Sequence, residues 1–152
     1  MTPERPYLLD VNVLIALAND GHVHHHAAHR WFGTVAAWAT TPVTEAGFVR
    51  VQSTPAVTGA VVQPREAVAA LLQMRSLPGH RWLPDDATLT AARIDLTAMV
   101  GRAQVTDFHL VNLCEGAGCV LATFDARLRT ALAPQDRHLV HLVPVLDAPT
   151  NS

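Results

Sequence analysis

Short apolar runs alternate with helical patterns along almost the whole chain. Tyr7–Leu9 and Cys119–Thr123 have the composition of buried strands, Arg81–Pro84 and Leu139–Leu146 of further strands, and Thr40–Thr44 is strand-like. Strands that alternate with helices of about ten residues are typical of a parallel sheet covered by helices on both faces. We therefore predict an α/β fold, a three-layer α/β/α sandwich with a mainly parallel central sheet.

The helices are predicted from apolar residues that recur every three or four positions. They are a helix over residues 12–18, one with Ala27, Ala28, Trp31, Val35 and Trp38 on one face, one opened by Glu45, one with Pro64 at its first position, one over Ala87–Val100, one opened by Asp107 and a short one ending at Leu132. No repeat, low-complexity tract or long linker divides the sequence. We therefore predict one domain over residues 1–152.

Four carboxylates stand where the carboxyl edge of such a sheet is expected. Asp10 closes the first strand, and Asp125 follows the strand that ends at Thr123. Glu45 and Asp107 open helices directly after turn-like segments. Because ligands of an open parallel sheet bind beyond the carboxyl ends of its strands, the four acids are predicted to converge in one cleft.

Converging carboxylates repel one another unless a cation neutralises them. Ligand sets made only of oxygen suit Mg²⁺ or Mn²⁺, and such ions activate water and stabilise the leaving oxygen in phosphodiester cleavage. Each acid also has a purely local interpretation. Asp10 and Asp125 could cap the helices that follow them, and the helix dipole favours Glu45 and Asp107 near helix starts. The combination of all four favours a metal site.

The net charge of −2 does not exclude a nucleic-acid substrate, because bound divalent cations reverse the local sign of an acidic site. No stretch approaches the roughly 20 uncharged residues of a membrane span. Near the N-terminus, Glu4 offsets Arg5 and Asp10 interrupts the apolar run, which is not the pattern of a signal peptide. Cys114 and Cys119 are interpreted as buried, reduced thiols. We therefore expect a cytoplasmic protein without a membrane partner.

Four segments resemble, in order and spacing, the acidic motifs of PIN domains. They are Leu8–Leu17, Thr44–Arg50, Val105–Val111 and Ala122–Asp125, and the resemblance covers about residues 7–146. The segment 24–32 further resembles the VapC-like toxins, because it has a histidine pair followed by Ala-Ala and then by Trp-Phe. The resemblance implies an Mg²⁺- or Mn²⁺-dependent endoribonuclease that cuts single-stranded RNA. It also implies inhibition by a cognate antitoxin, and a homodimer or a toxin–antitoxin hetero-oligomer.

The same resemblance assigns roles to individual side chains. Asp10, Glu45, Asp107 and Asp125 match the catalytic acids, and we expect the three aspartates to be metal ligands. At two further positions, Asn12 and Thr123, the family has residues that support these carboxylates by hydrogen bonds.

Arg50 is the one arginine that we single out as an RNA contact, because it follows Glu45 by about one and a half helical turns. The other arginines near the motifs are interpreted as solvated surface residues: Arg81, Arg102, Arg127 and Arg129. Trp31, Trp38 and Trp82 could stack on bases, but two of them lie on a helical apolar stripe, which favours packing.

Three alternatives remain. A haloacid-dehalogenase-like phosphatase requires a second acid two residues after the first and normally a lysine, whereas position 12 is Asn and all 11 basic residues are arginine. A zinc site could use histidines of the segment 22–29, but no neighbouring cysteine or acidic motif completes a tetrahedral set. A non-catalytic module with the same fold would be marked by loss of an acid, and all four acids are present.

Overall fold

One five-stranded sheet forms the centre of residues 5–145, the part of the chain that the computed structural model describes. Its strand order is β3-β2-β1-β4-β5, and every neighbouring pair is parallel. The strands are β1 (Tyr7–Leu9), β2 (Trp38–Thr40), β3 (His80–Trp82), β4 (Val120–Thr123) and β5 (Val140–Leu142). The predicted parallel sheet is confirmed, although each strand spans only three or four residues.

Seven α-helices connect and cover these strands within the described residues. They are α1 (Val11–Ala18), α2 (His25–Phe32), α3 (Pro42–Gln52), α4 (Pro55–Thr58), α5 (Pro64–Arg75), α6 (Val105–Ala117) and α7 (Ala126–Ala131), with 3₁₀ turns at Leu89–Ala91, Arg102–Gln104 and Pro134–Leu139. Proline begins α3, α4 and α5. At a first helical position its missing N–H would have no partner within the helix in any case.

Alternation along β1 divides the core into two halves. Leu8 belongs to one buried cluster with Phe108 of α6, and Leu9 belongs to the other with Val13 of α1 and Trp38 of β2. Successive side chains of a strand point to opposite faces of the sheet. Helix α6 therefore packs on one face and helices α1, α2, α3 and α5 on the other, which confirms the three-layer arrangement.

A close approach of two helices shapes the sheet edge that carries the acids. A Cβ atom on Gly47 of α3 would lie 2.7 Å from Cγ2 of Val11, the first residue of α1. Real Cβ contacts are not this short, so glycine at this position lets α3 pass over the start of α1. The chain segment that carries Glu45 is thereby packed against the segment that begins at Asp10.

Two helix predictions are wrong. Helix α2 ends at Phe32, and Trp38 is a fully buried residue of β2 whose indole N–H donates to the Pro78 carbonyl. An apolar residue at this position fits a buried strand as well as the apolar face of a helix, so its spacing from Trp31 does not distinguish the two. Only a short 3₁₀ turn forms within the helix predicted over Ala87–Val100. There the backbone N–H groups of Arg93 and Asp95 donate to side chains instead.

Smaller differences concern element bounds. The strand-like segment 40–44 ends at Thr40, so Glu45 is the fourth residue of α3, and Asp107 is the third of α6; neither opens its helix. The last strand ends at Leu142 rather than at residue 146, which lies outside the described residues.

Cys114 and Cys119 are free and buried, as expected. No helix within residues 5–145 has the length and apolar character needed to cross a bilayer.

Candidate active site

Asp10 is held in place by its own helix and by the neighbouring strand. Its Oδ1 accepts a hydrogen bond from the Val11 N–H at 2.8 Å, and its Oδ2 accepts one from the Thr123 hydroxyl at 2.8 Å. The carboxylate is buried. Because β1 and β4 are adjacent and parallel, Asp10 and Thr123 meet at the carboxyl edge of the sheet. Asp10 is thus both the cap of α1 and a member of the predicted site.

Thr123 connects the groups around Asp10. Its only hydroxyl hydrogen goes to the Asp10 carboxylate, so its oxygen accepts from the Asn12 amide at 3.0 Å and from the Asp125 N–H at 3.1 Å. The Asn12 Oδ1 in turn accepts the Phe124 N–H at 3.3 Å. Asn12 and Thr123 therefore fix the orientation of Asp10 and the course of the chain toward Asp125.

Asp10, Asp107 and Asp125, here called the aspartate cluster, act on one another electrostatically. Burial raises the pKa of Asp107 to about 6, and the charges of Asp10 and Asp125 add to the shift. Burial also raises the pKa of Asp10, with a further contribution from Asp125, while hydrogen bonds from Thr123 and Val11 oppose the shift. The three side chains thus form an environment that disfavours full negative charge.

The raised pKa of Asp107 should make the stability of the metal-free protein depend on pH. Between its ordinary value of 3.8 and its folded value of about 6, the folded chain holds more protons than the unfolded chain. Asp107 therefore favours folding below pH 4, and this contribution is lost as the pH rises through 6. Because the side chain is partly exposed, we expect the effect to be about 1 kcal/mol after solvent screening.

Urea unfolding of wild type and of an Asp107→Asn variant, both in EDTA, measures this contribution. The comparison cancels the opposite effect of His22, His80 and His141, whose lowered pKa values cost stability as the pH falls. The difference in free energy of unfolding, variant minus wild type, should increase by about 1 kcal/mol from pH 4 to pH 7. A difference that does not change with pH would contradict the assigned pKa.

A cavity of about 300 Å³ opens beside the cluster. Its lining residues are Ala103, Gln104, Asp107, Asp125, Arg127 and Leu128. The Arg127 side chain is 97% exposed, and its Nε lies 3.8 Å from Asp125 Oδ1. A guanidinium next to carboxylates at a cavity mouth is suited to bind a phosphate. Arg127 follows Asp125 by two residues in sequence, but its position beside Asp107 depends on the fold, because both residues line this cavity.

Glu45 has different neighbours. Its Oε2 accepts a hydrogen bond from the Thr40 hydroxyl at 2.6 Å, and its Oε1 lies 3.4 Å from Arg75 Nη1. The His80 Nε2 lies 2.8 Å from the same Thr40 oxygen. Since the Thr40 hydrogen goes to Glu45, this histidine nitrogen must carry a hydrogen and donate it. Glu45 is not among the charges that shift the pKa of Asp10 or Asp107.

Arg50 lies on the exposed side of the last turn of α3. Five residues on a helix correspond to about 140° around its axis after one full turn, so Arg50 and Glu45 project in different directions. The arginine that contacts Glu45 is Arg75, 30 residues away in sequence, at the end of α5. Sequence spacing could not reveal this pair, because it depends on how α5 packs against α3.

The aspartate cluster has the donor chemistry of a Mg²⁺ or Mn²⁺ site. All its donors are carboxylate oxygens, and their mutual repulsion is relieved by a cation. As the side chains stand, no group of three His, Cys, Asp or Glu residues in the described part of the chain encloses a metal position. Mg²⁺ does not require such a cage, because it keeps several waters and usually takes one or two carboxylates plus substrate phosphate. The residues therefore fit the ion.

The histidine-rich segment has a structural role in this fold. The His25 Nδ1 lies 2.8 Å from the Ala16 carbonyl oxygen, and the His29 Nε2 lies 2.8 Å from that of Leu17. A carbonyl only accepts, so both ring nitrogens donate and tie α2 to the end of α1. Within the described residues, no group of three His, Cys, Asp or Glu side chains is arranged to hold a metal ion, so the structure offers no zinc site in this segment.

The chain is similar in sequence and in fold to known proteins. Ribonuclease VapC38 of Mycobacterium tuberculosis is 43% identical over 141 residues, which cover 91% of this chain and 99% of the relative. Ribonuclease VapC39 of the same organism is 48% identical over 124 residues, covering 80% and 89%. The crystal structure of M. tuberculosis VapC20, described as a toxin that cleaves the sarcin–ricin loop, has a TM-score of 0.56 at 17% identity, over 82% of this chain and 94% of that chain.

The structural likeness to VapC20 supports the fold, and the two sequence relatives extend over most of the chain. Residues 7–131, from β1 to the end of α7, match the PIN domain. All four acids lie within this range, together with Thr123, which donates to Asp10, and Asn12, which donates to Thr123. The chain belongs to the PIN domain family.

Proposed function

We propose that this protein is an endoribonuclease toxin that cleaves single-stranded RNA with Mg²⁺ or Mn²⁺ held by Asp10, Asp107 and Asp125. The observation that carries the proposal is the aspartate cluster, whose mutual repulsion helps to raise the pKa of Asp107 to about 6. A fold gains nothing from gathering charges of one sign, so the cluster indicates a cation site. The names of the two ribonuclease relatives support the activity.

The chain's own residues would position the substrate and the ion. A bound divalent cation would activate a water and neutralise charge at the cleaved phosphodiester. Thr123 and Asn12 keep the Asp10 carboxylate turned toward the cluster. Arg127 at the cavity mouth would bind an RNA phosphate, and Arg50 remains a weaker candidate for the same role.

Glu45 is proposed as the fourth catalytic acid. Its carboxylate is mostly buried and is oriented by Thr40 and Arg75, rather than by members of the aspartate cluster. A carboxylate fixed in this way, on the helix that follows the strand next to β1, would accept a proton or orient a water near the substrate.

The proposed activity is tested with purified protein and a fluorescent RNA that contains a single-stranded loop and a duplex stem. Cleavage should require Mg²⁺ or Mn²⁺, should be confined to the loop and should stop in EDTA. A protein that binds RNA but cuts neither part with either ion would favour a non-catalytic module. Cleavage that persists in EDTA would contradict the metal requirement.

A ribonuclease that is active in its own cell requires an inhibitor, and we propose a cognate antitoxin protein in the cytoplasm. Helix α5 offers it an apolar contact, since Val68 and Leu72 lie one turn apart and are both exposed. The same surface would serve a homodimer. Co-expression with the product of the adjacent gene, followed by size-exclusion chromatography, would detect a hetero-oligomer.

The assignment of residues 1–152 to one domain also stays a prediction.

A further inference from the structure

Trp82 is an exposed aromatic residue at the edge of the sheet where the acids lie. Its residue surface is 47% exposed, whereas Trp31 is 9% exposed and Trp38 is fully buried. An exposed indole leaves a large apolar surface in water, which packing does not explain. The structure therefore distinguishes Trp82 from Trp31 and Trp38, which both belong to the core.

The strand register places Trp82 beside the residues that hold Glu45. Trp82 is the last residue of β3 and pairs with Thr40, the last residue of β2. His80, two residues earlier on β3, points to the same face as Trp82 and contacts the Thr40 hydroxyl. Thr40 donates to Glu45. The indole thus lies on the same face and at the same end of the sheet as Thr40, whose hydroxyl holds the Glu45 carboxylate.

Arg75 connects the indole to the carboxylate directly. Its guanidinium carbon lies 5.3 Å from the centre of the Trp82 ring, and its Nη1 lies 3.4 Å from Glu45 Oε1. Glu45 takes one of the five guanidinium N–H groups, and about a third of the arginine side chain, 36%, is exposed. The cation therefore has a surface that can meet an incoming anion.

We propose that Trp82 and Arg75 form a nucleotide subsite for single-stranded RNA, with the base stacked on the indole and the adjacent phosphate bound by the guanidinium. Unpaired bases stack on aromatic side chains whatever their sequence, and arginine binds both phosphates and aromatic faces. The subsite holds the RNA strand next to Glu45. Duplex RNA keeps its bases stacked within the helix, so the subsite would select single strands. This inference rests on the proposed ribonuclease function.

Substitutions at position 82 separate stacking from simple apolar contact. Binding of a 5′-fluorescein single-stranded oligoribonucleotide is measured by anisotropy with Mg²⁺ present, in an Asp107→Asn background that prevents cleavage. Trp82→Ala and Trp82→Leu should raise Kd about tenfold, and Trp82→Phe should keep most of the affinity. Val61→Ala, which shortens an exposed apolar side chain before α5, is the matched control and should bind like the parent. An oligonucleotide with abasic sites should bind the parent and Trp82→Ala equally.

Each outcome bears on a different claim. If all position-82 variants bind RNA like the parent while wild type still cleaves RNA, the subsite is wrong and the ribonuclease function stands. If Leu restores RNA binding as well as Phe, stacking is wrong. If only antitoxin binding responds to Trp82→Ala, the indole belongs to a protein-docking surface. If wild type neither binds nor cleaves RNA, the subsite and the proposed function are both wrong.

Discussion

Asp107→Asn is expected to lower the rate of RNA cleavage by at least about 10³-fold, because the amide cannot supply the charge that a metal ligand provides. Of the three aspartates, Asp107 is the most suitable to substitute, because its loss is not expected to destabilise the fold. Its raised pKa comes from burial and from the charges of Asp10 and Asp125, so a neutral side chain relieves repulsion. The metal-free variant should unfold about 2–4 °C above wild type, which excludes misfolding as the cause of lost activity.

Asp10→Asn should also lose cleavage, but with a structural cost. One oxygen of Asp10 accepts the Thr123 hydroxyl and the other accepts the Val11 N–H, and an amide nitrogen can replace neither acceptor. The exposed Asp86, outside the cluster, provides a control: Asp86→Asn should cleave RNA like wild type. Near-normal cleavage by Asp107→Asn would contradict the assignment of the aspartate cluster as the catalytic site.

Thr123→Val is expected to reduce cleavage by about 10- to 100-fold, the usual effect of removing a residue that orients a metal ligand. Valine has nearly the same shape as threonine, so the change removes the hydroxyl alone from a fully buried position. Asp10 then loses a donor, and Asn12 and the Asp125 N–H lose their acceptor. Leaving such buried groups without partners should cost about 1–3 kcal/mol of folding free energy.

Thr123→Ser is the matched control, because it keeps the hydroxyl and removes only a methyl group. Its rate of cleavage should stay within a fewfold of wild type. Single-turnover kinetics measures the rate of cleavage by both variants, and urea unfolding measures their folding free energy. Equal activity of the Val and Ser variants would show that the Thr123 hydroxyl does not orient Asp10.

The positions of the four acids in the fold were predictable from the sequence, although the structure brings together only the three aspartates. Asp10 ends an apolar run, Asp125 follows one, and Glu45 and Asp107 lie in the first turns of helices. The local interpretation as caps also holds for two of them, since Asp10 accepts the Val11 N–H and Asp125 accepts the Arg127 N–H. Capping and membership of the cluster are compatible, because both require a carboxylate at the carboxyl edge of the sheet.

The surroundings of Glu45 were not predictable. Arg75 contacts Glu45, His80 contacts Thr40 and Trp82 contacts Arg75 only because β3 pairs with β2 and α5 packs on α3. No local spacing encodes these contacts. Arg50 follows Glu45 closely in sequence, but the two side chains project from α3 in different directions. The helix predicted over residues 87–100 is absent for a related reason. Its backbone is bound by Asn112 and Asp136, side chains that lie far along the chain.

The aspartate cluster is tested most directly by anomalous diffraction at the manganese edge from crystals grown with Mn²⁺. We expect a peak with carboxylate oxygens of the aspartate cluster at about 2.0–2.6 Å, the range for hard divalent cations. The peak should be absent from crystals of Asp107→Asn grown under the same conditions. A structure without manganese at Asp10, Asp107 and Asp125, or with manganese only at the histidines of segment 22–29, would contradict the account.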